Sequence, residues 1–174
     1  MKISEQYISI AIPTYNSSKY IDHLLKEVLK KNIVNEVILS DDNSDDYEKA
    51  VYRENIEKYK KKYPNKNLIF IDNERRRGPF VNKYTAINNC NNDIVYQIDS
   101  DNIPMLGLDK YIKNDLLPSF NVENIYFPSK IYQFQKNEKL SIPLSKFFTG
   151  TKYRVTLKSH NFEFKKELIK NSIL

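Results

Sequence analysis

Paired carboxylates lying close to basic residues are the pattern in this chain best able to do chemistry. Asp99-Ser100-Asp101 sets two carboxylates one residue apart, and Asp41-Asp42-Asn43-Ser44-Asp45-Asp46 packs four into one short stretch. Two Asp at that spacing suit Mg2+ or Mn2+, hard cations that take one or two carboxylates and complete their shell with phosphate oxygens. Crowded carboxylates raise one another's pKa, and a divalent cation relieves that cost. Arg75-Arg76-Arg77 and Lys83 are positive groups that could face a diphosphate. Asp41 to Asp46 also has a plainer reading, a turn followed by a helix cap, because Asp, Asn and Ser favour both. Asp99 does not open an EF-hand loop: that loop needs Gly at its sixth position and Glu at its twelfth, and the chain has Pro104 and Lys110 there.

These residues need a scaffold that brings them to one place. Tyr7 to Ile12 is β-branched, alternates, and is closed by Pro13, which reads as a strand. Asn16, Ser17 and Ser18 offer caps, and Ile21, Leu24, Leu25, Val28 and Leu29 then recur at helical spacing to about Lys31. Glu36 to Ser40 is a second strand. Tyr47 to Tyr63 is a charged helix stopped by Pro64, and Asn67 to Ile71 is a third strand. Gly78-Pro79 opens a helix ending near Asn91, and Asp93 to Ile98 is a fourth strand. A short helix at Leu108 to Leu116 and a strand around Asn124 to Tyr132 follow. Gln133 to Ser159 shows no assignable pattern, and Phe162 to Lys170 reads as a strand edge entering a last helix. Strands alternating with helices predict an α/β fold with a largely parallel sheet. Such a sheet binds ligands beyond the carboxyl ends of its strands. Three strands end there in polar loops: Pro13-Thr14-Tyr15-Asn16, Asp41 to Asp46, and Asp99 to Asn102. Their joint placement favours a site over three unrelated turns.

Composition bounds the rest. The 174 residues suit one domain. Leu, Ile, Val and Phe number 51, well above the roughly 20% at which disorder is expected, so a core can form. Three glycines exclude a G-x-G-x-x-G or P-loop cradle, and one Cys with two His excludes a disulfide framework or structural zinc. Cys90 reads as a buried helix residue. No apolar run is long enough to span a membrane, and Met1 to Gln6 has no signal-peptide core, so the expected location is cytoplasmic. The net charge is +6, with eleven Lys or Arg between Lys49 and Lys83. Lys60 to Lys62 reads first as a solvated helix face. An anionic bilayer or a phosphorylated molecule is the further reading of the basic stretch. The acidic rim argues against a nucleic-acid partner, whose binding would fall steeply with salt.

In order, Pro13-x-Tyr15-Asn16, Asp41-Asp42-x-Ser44-x-Asp46, Gly78 with Lys83, and Asp99-Ser100-Asp101 resemble the motifs of the family 2 inverting glycosyltransferases, from Ile8 to about Pro104. The resemblance implies the GT-A fold, a Rossmann-like, mostly parallel sheet flanked by helices. It implies transfer of a sugar, with inversion, from a nucleotide-sugar donor (a UDP-sugar first) to a hydroxyl of a glycan or lipid-linked acceptor, aided by Mn2+ or Mg2+. Polysaccharide biosynthesis at the cell envelope is the setting it implies, with peripheral contact to the cytoplasmic face of a membrane.

The resemblance also assigns roles. Pro13 and Tyr15 would line the base, and Asp41 would hydrogen-bond the uracil ring. Lys83 would sit near the nucleotide; this chain has Lys83-Tyr84 where the family often has Arg-Asn. Asp99 would serve the ribose side and Asp101 the metal, with Asn102 where the family often has Asp. Ser159-His160-Asn161-Phe162 and Phe164 to Glu167 resemble the acceptor-side segment. The family usually continues to a Glu-Asp pair that supplies the catalytic base, whereas this chain stops at Leu174. The expectation is therefore one GT-A-type domain over 1–174, with 1–104 a nucleotide-binding half and 105–174 a partial, truncated acceptor half. Asp115, Glu163 and Glu167 are acids of that half, none in the family's pattern. The alternative is a non-catalytic nucleotide-sugar-binding module, or a fragment lacking the base.

Overall fold

Four hydrophobic strands build the centre of the molecule. The computed structural model describes residues 7–104, 108–116, 130–135, 138–143 and 153–157. In chain order the elements are β1 (Ile8–Thr14), α1 (Ser18–Leu29), β2 (Val34–Asp41), α2 (Asp46–Lys62), β3 (Asn67–Asp72), α3 (Pro79–Asn88), β4 (Ile94–Ile98), α4 (Leu108–Tyr111), β5 (Lys130–Gln135), β6 (Glu138–Pro143) and β7 (Tyr153–Leu157). α4 continues as one π-helical turn over Ile112–Leu116. The main sheet has the order β3-β2-β1-β4-β7. β1, β2, β3 and β4 are parallel, and β7 closes the β4 edge antiparallel. β5 and β6 pair as a separate antiparallel hairpin. This is the α/β, mostly parallel arrangement expected.

Period-two alternation decides which helix covers which face. Ile8, Ile10 and Ile12 pack with Leu24, Leu25 and Val28 of α1 and with Tyr52, Ile56 and Tyr59 of α2. Ala11, Ile38 and Val95 pack with Ala86, Ile87 and Cys90 on the α3 side. Covered on both sides, β1 is buried along its whole length, as central parallel strands are. Pro13 extends β1 instead of closing it. Its missing N–H breaks no bond to β4, because that ladder ends at Ala11.

Other element ends differ for identifiable reasons. α1 carries no side-chain cap; its first N–H groups are met from α2, as described below. α3 stops at Asn88 because Asn91 is drawn to Glu36 and Asn92 to Ser9. The stretch from Gln133 to Ser159, without a pattern in the sequence, contributes the end of β5, β6 and β7. The predicted strand around Asn124 to Tyr132 begins at Lys130 within the described residues. Phe162 to Lys170 lies outside them.

At the amino end of the strands, Glu36 is 3% exposed. Its carboxylate accepts from Ser9 Oγ at 2.5 Å, Asn91 N at 2.7 Å and Asn67 Nδ2 at 2.9 Å. Burial pushes this carboxyl up, but the Ser9 hydroxyl and the Asn91 and Asn67 amides outweigh it and hold it below its ordinary 4.5. A carboxyl lowered on folding stabilises above its unfolded pKa, and that contribution is lost as pH falls through the folded value. Glu36→Gln is expected to cost about 2 kcal/mol at neutral pH and to flatten the acid-side loss of stability. Urea midpoints measured from pH 7 downward check this; equal acid sensitivity in both proteins would refute it.

Candidate functional site

The chain runs β1 to β2 to β3 in one direction across the sheet, then returns to place β4 on the other side of β1. The carboxyl ends of β1 and β4 therefore flank the point where strand order reverses, which is where open α/β sheets bind ligands. Residues 14–17 lie on one side of that crevice and residues 99–102 on the other. Ser17 Oγ and Ser100 Oγ meet across it at 2.8 Å. The β2 loop joins them: Asn16 N donates to Ser44 Oγ at 2.8 Å, and Asp45 N donates to Asn16 Oδ1 at 3.2 Å. Asn16 and Asn43 have φ of 44° and 61°, a left-handed backbone that Asn tolerates better than most residues. All three polar loops thus form one rim.

Most of the rim's carboxylates are already satisfied by the protein. Asp41 is fully buried, and its two oxygens accept from the amide and the hydroxyl of Ser44. Burial pushes the Asp41 carboxyl up, against the pull of those Ser44 bonds. Asp42 accepts from Arg77 N at 2.8 Å and Gly78 N at 2.9 Å, which docks the loop entering α3. Gly78 has φ 90°, so a side chain there would be strained although space is open. Asp45 caps α2 through Glu48 N at 3.0 Å. Asp46 stands at the positive end of the same helix. Backbone donors, the Ser44 hydroxyl and the start of α2 therefore meet the acids of the β2 loop. The turn reading of Asp41 to Asp46 is realised there, and the capped turn is part of the rim.

The β4 end differs. Lys83 Nζ pairs with Asp99 Oδ1 at 2.8 Å, each side chain about 30% exposed. Gln97 Nε2 donates to the same oxygen at 2.9 Å. Asp101, two residues on, is exposed and makes no hydrogen bond or ion pair among the described residues. Across the crevice, Tyr15 is 39% exposed, and the Arg76 guanidinium lies over its ring at 4.0 Å. Pro13 is buried in β1 beside Ser40. Pro13, Tyr15, Asp41, Lys83, Asp99 and Asp101 therefore gather around one rim. Asp115 lies on the turn after α4; Glu163, Glu167 and His160 lie outside the described residues.

Among the described residues no three His, Cys, Asp or Glu side chains converge on a cation-sized space. One open carboxylate, Asp101, beside the neutralised Asp99 still fits Mg2+ or Mn2+, because these cations need only one or two carboxylates when phosphates complete the shell. Such a cation would be held weakly without the phosphates.

The basic stretch divides in two. Arg76 and Arg77 sit at the rim. Lys60 to Lys62 end the 17-residue α2, about 25 Å along the helix from its capped start. Membrane contact through those lysines would turn the rim away from the bilayer. No helix of the described residues is long and apolar enough to cross a membrane.

The residues that organise the rim were silent in the sequence. Asn82 is 3% exposed. Its Nδ2 donates to Thr14 O at 3.0 Å and Ser40 O at 2.9 Å, and its Oδ1 accepts from Ser40 Oγ at 2.6 Å. One amide so ties α3 to the ends of β1 and β2. Tyr52 is fully buried on α2, with its hydroxyl among Thr14, Ser17 and Glu48. The available signal was spacing: Glu48, Tyr52, Ile56 and Tyr59 share one helical stripe.

The sequence profile of the family described as "Glycosyl transferase family 2" matches residues 9–114. No curated protein matches the chain. Among solved structures, the mannosyltransferase PcManGT from Pyrobaculum calidifontis, in complex with GDP-Man and Mn2+, is similar at 21% identity over 64% of this chain and 32% of its own, with a TM-score of 0.53. That likeness is one of fold. S. aureus TarS 1-349 is similar at 26% identity over 63% of this chain and 31% of its own, with a TM-score of 0.47. The chain spans about a third of the length of these structures.

Proposed function

Because the chain belongs to glycosyl transferase family 2 and has a GT-A sheet, we propose that it is the nucleotide-sugar-binding part of a metal-dependent, inverting glycosyltransferase. The observation that carries this reading is the pairing, at the strand-order reversal, of Lys83 and Asp99 with the exposed Asp101 beside them. In this reading Tyr15, one face under Arg76, meets the base, and Asp41 lies behind it. Asp99 serves the ribose, and Lys83 adds positive charge next to the diphosphate. Asp101 holds the cation. Mn2+ or Mg2+ bound there would neutralise charge on the departing nucleoside diphosphate. The sugar passes to a hydroxyl of a glycan or lipid-linked acceptor, whose proton goes to a base. A base scan starts from Asp115, Glu163 and Glu167. Residues 1–104 form the nucleotide half and 105–174 part of the acceptor half.

A cation held by one carboxylate and the substrate's phosphates predicts that metal and nucleotide bind cooperatively. Thermal unfolding should move little with Mn2+ alone, more with UDP, and most with both. Saturation at about 100 times Kd would contribute roughly 2.7 kcal/mol. GDP in place of UDP reports which base is preferred. No shift with either nucleoside diphosphate, with or without Mn2+, would sink the reading.

A further inference from the structure

A directional chain of hydroxyls runs from a half-buried carboxylate to the turn that bears Asp101. Glu48 Oε2 accepts from Ser18 N at 2.6 Å and from the Tyr52 hydroxyl at 3.1 Å. A carboxylate cannot donate, so the single Tyr52 proton points at Glu48. The Tyr52 oxygen then accepts, from Ser17 N at 2.9 Å and from Thr14 Oγ1 at 3.1 Å. With its own proton given to Tyr52, Thr14 Oγ1 must accept at its 2.6 Å contact with Ser17 Oγ. Ser17 having donated, Ser100 Oγ must donate at the 2.8 Å contact across the crevice. Every proton in Ser100–Ser17–Thr14–Tyr52–Glu48 thus points toward one anion, and bonds in such a chain polarise one another.

The chain ends inside the D-S-D turn. Ser100 is 9% exposed, and the turn around it is closed by Asn102 N donating to Asp99 O at 3.0 Å. Asp99 is held by Lys83 and Gln97. With Ser100 also anchored, Asp101 is the carboxylate of the turn left open to a ligand. Glu48 fills a second role: its carboxylate serves the start of α1, so α1 and residues 14–17 move with α2.

We propose that Tyr52 and Glu48 are positioning residues for the Asp99–Asp101 turn, setting Asp101 in place before the diphosphate and its cation arrive. The inference rests on the function proposed above and deepens it. A site ordered in advance does not spend binding free energy on ordering, and loss of the partners that orient a metal ligand typically costs 10–100-fold in affinity.

The test is a double-mutant cycle in the full chain, using Tyr52→Phe and Ser100→Ala, read as the Kd of UDP in saturating Mn2+ by calorimetry. Each single variant should weaken UDP about 10-fold or more. The double variant should be no worse than the weaker single one, because either change breaks the same chain. Ser100→Thr, which keeps the hydroxyl, should restore most of the affinity. Unchanged affinity in the single variants, or additive losses, would overturn the proposal. Backbone amide shifts provide a readout that needs no nucleotide: Tyr52→Phe should move the resonances of residues 99–102, on the far side of the crevice. If the parent protein binds neither UDP nor GDP, the proposed function fails, while these shifts still decide whether Tyr52 sets the turn. If Tyr52→Phe does not fold, Ser100→Ala read at the amides of residues 14–17 decides the same question from the other end.

Discussion

In the glycosyltransferase proposed above, replacing Asp101 by asparagine is expected to lower sugar transfer by about 100-fold or more while leaving the fold intact. The carboxylates near it cannot take over. Asp99 is engaged by Lys83 and Gln97, and Asp41, Asp42 and Asp45 are turned onto protein donors. The neutral amide that Asp101→Asn introduces would be a poor ligand for a hard cation. Losing several kcal/mol of charge stabilisation at the leaving diphosphate converts, at about 1.36 kcal/mol per decade, to roughly two decades or more in rate. Because Asp101 is exposed and makes no bond among the described residues, the variant's melting temperature without ligand should equal that of the parent. The part of the UDP stabilisation that depends on Mn2+ should disappear. A variant that keeps that dependence would place the cation elsewhere. Asp99→Asn should behave differently, because it strands the Lys83 ammonium and removes an ion pair without removing the proposed metal ligand.

The largest effect on stability is expected at Asn82. Its side chain makes three bonds shorter than 3.1 Å to Thr14 and Ser40 in a site 3% exposed. Thr14 O keeps a second donor, Asp42 N at 3.0 Å, but the Ser40 hydroxyl loses its acceptor. Asn82→Ala should therefore cost about 3 kcal/mol at roughly 1 kcal/mol per bond, a fall of about 6–12 °C in Tm for a chain of this size. Asn82→Asp should be worse, since it sets a buried carboxylate against the carbonyl oxygens of Thr14 and Ser40. Ser40→Ala removes one of the three bonds and should cost about 1 kcal/mol. Calorimetric melting of the three variants checks the order Asp, Ala, then Ser40→Ala; an aspartate tolerated as well as alanine would mean that the amide is not the bolt described.

Much of the fold is legible because its signals are local. β-branched runs such as Ile8 to Ile12 and Ile94 to Ile98 mark strands, Pro64 stops a helix, and Gly78-Pro79 starts one, each through its own backbone preferences. The alternation of such runs already implies a parallel sheet, and the polar residues at three strand ends can then gather only on one rim. The motif order from Pro13 to Asp101 was sufficient to point to the family. Edges were less legible: β7 pairs antiparallel to β4, and nothing in Tyr153 to Leu157 declares a direction.

Residue type and spacing along the chain suffice for the order of elements from β1 to β4, for the rim on which acids and bases meet, and for the family. Tertiary packing sets what each rim residue touches. It paired Lys83 with Asp99, turned the acids of the β2 loop onto backbone donors, split the basic stretch between the rim and the far end of α2, and gave the start of α1 to Glu48. Lys83 with Asp99, Ser18 with Glu48 and Gly78 with Asp42 lie 16 to 36 positions apart, and such contacts depend on how helices pack across a sheet, which short-range periodicity does not encode.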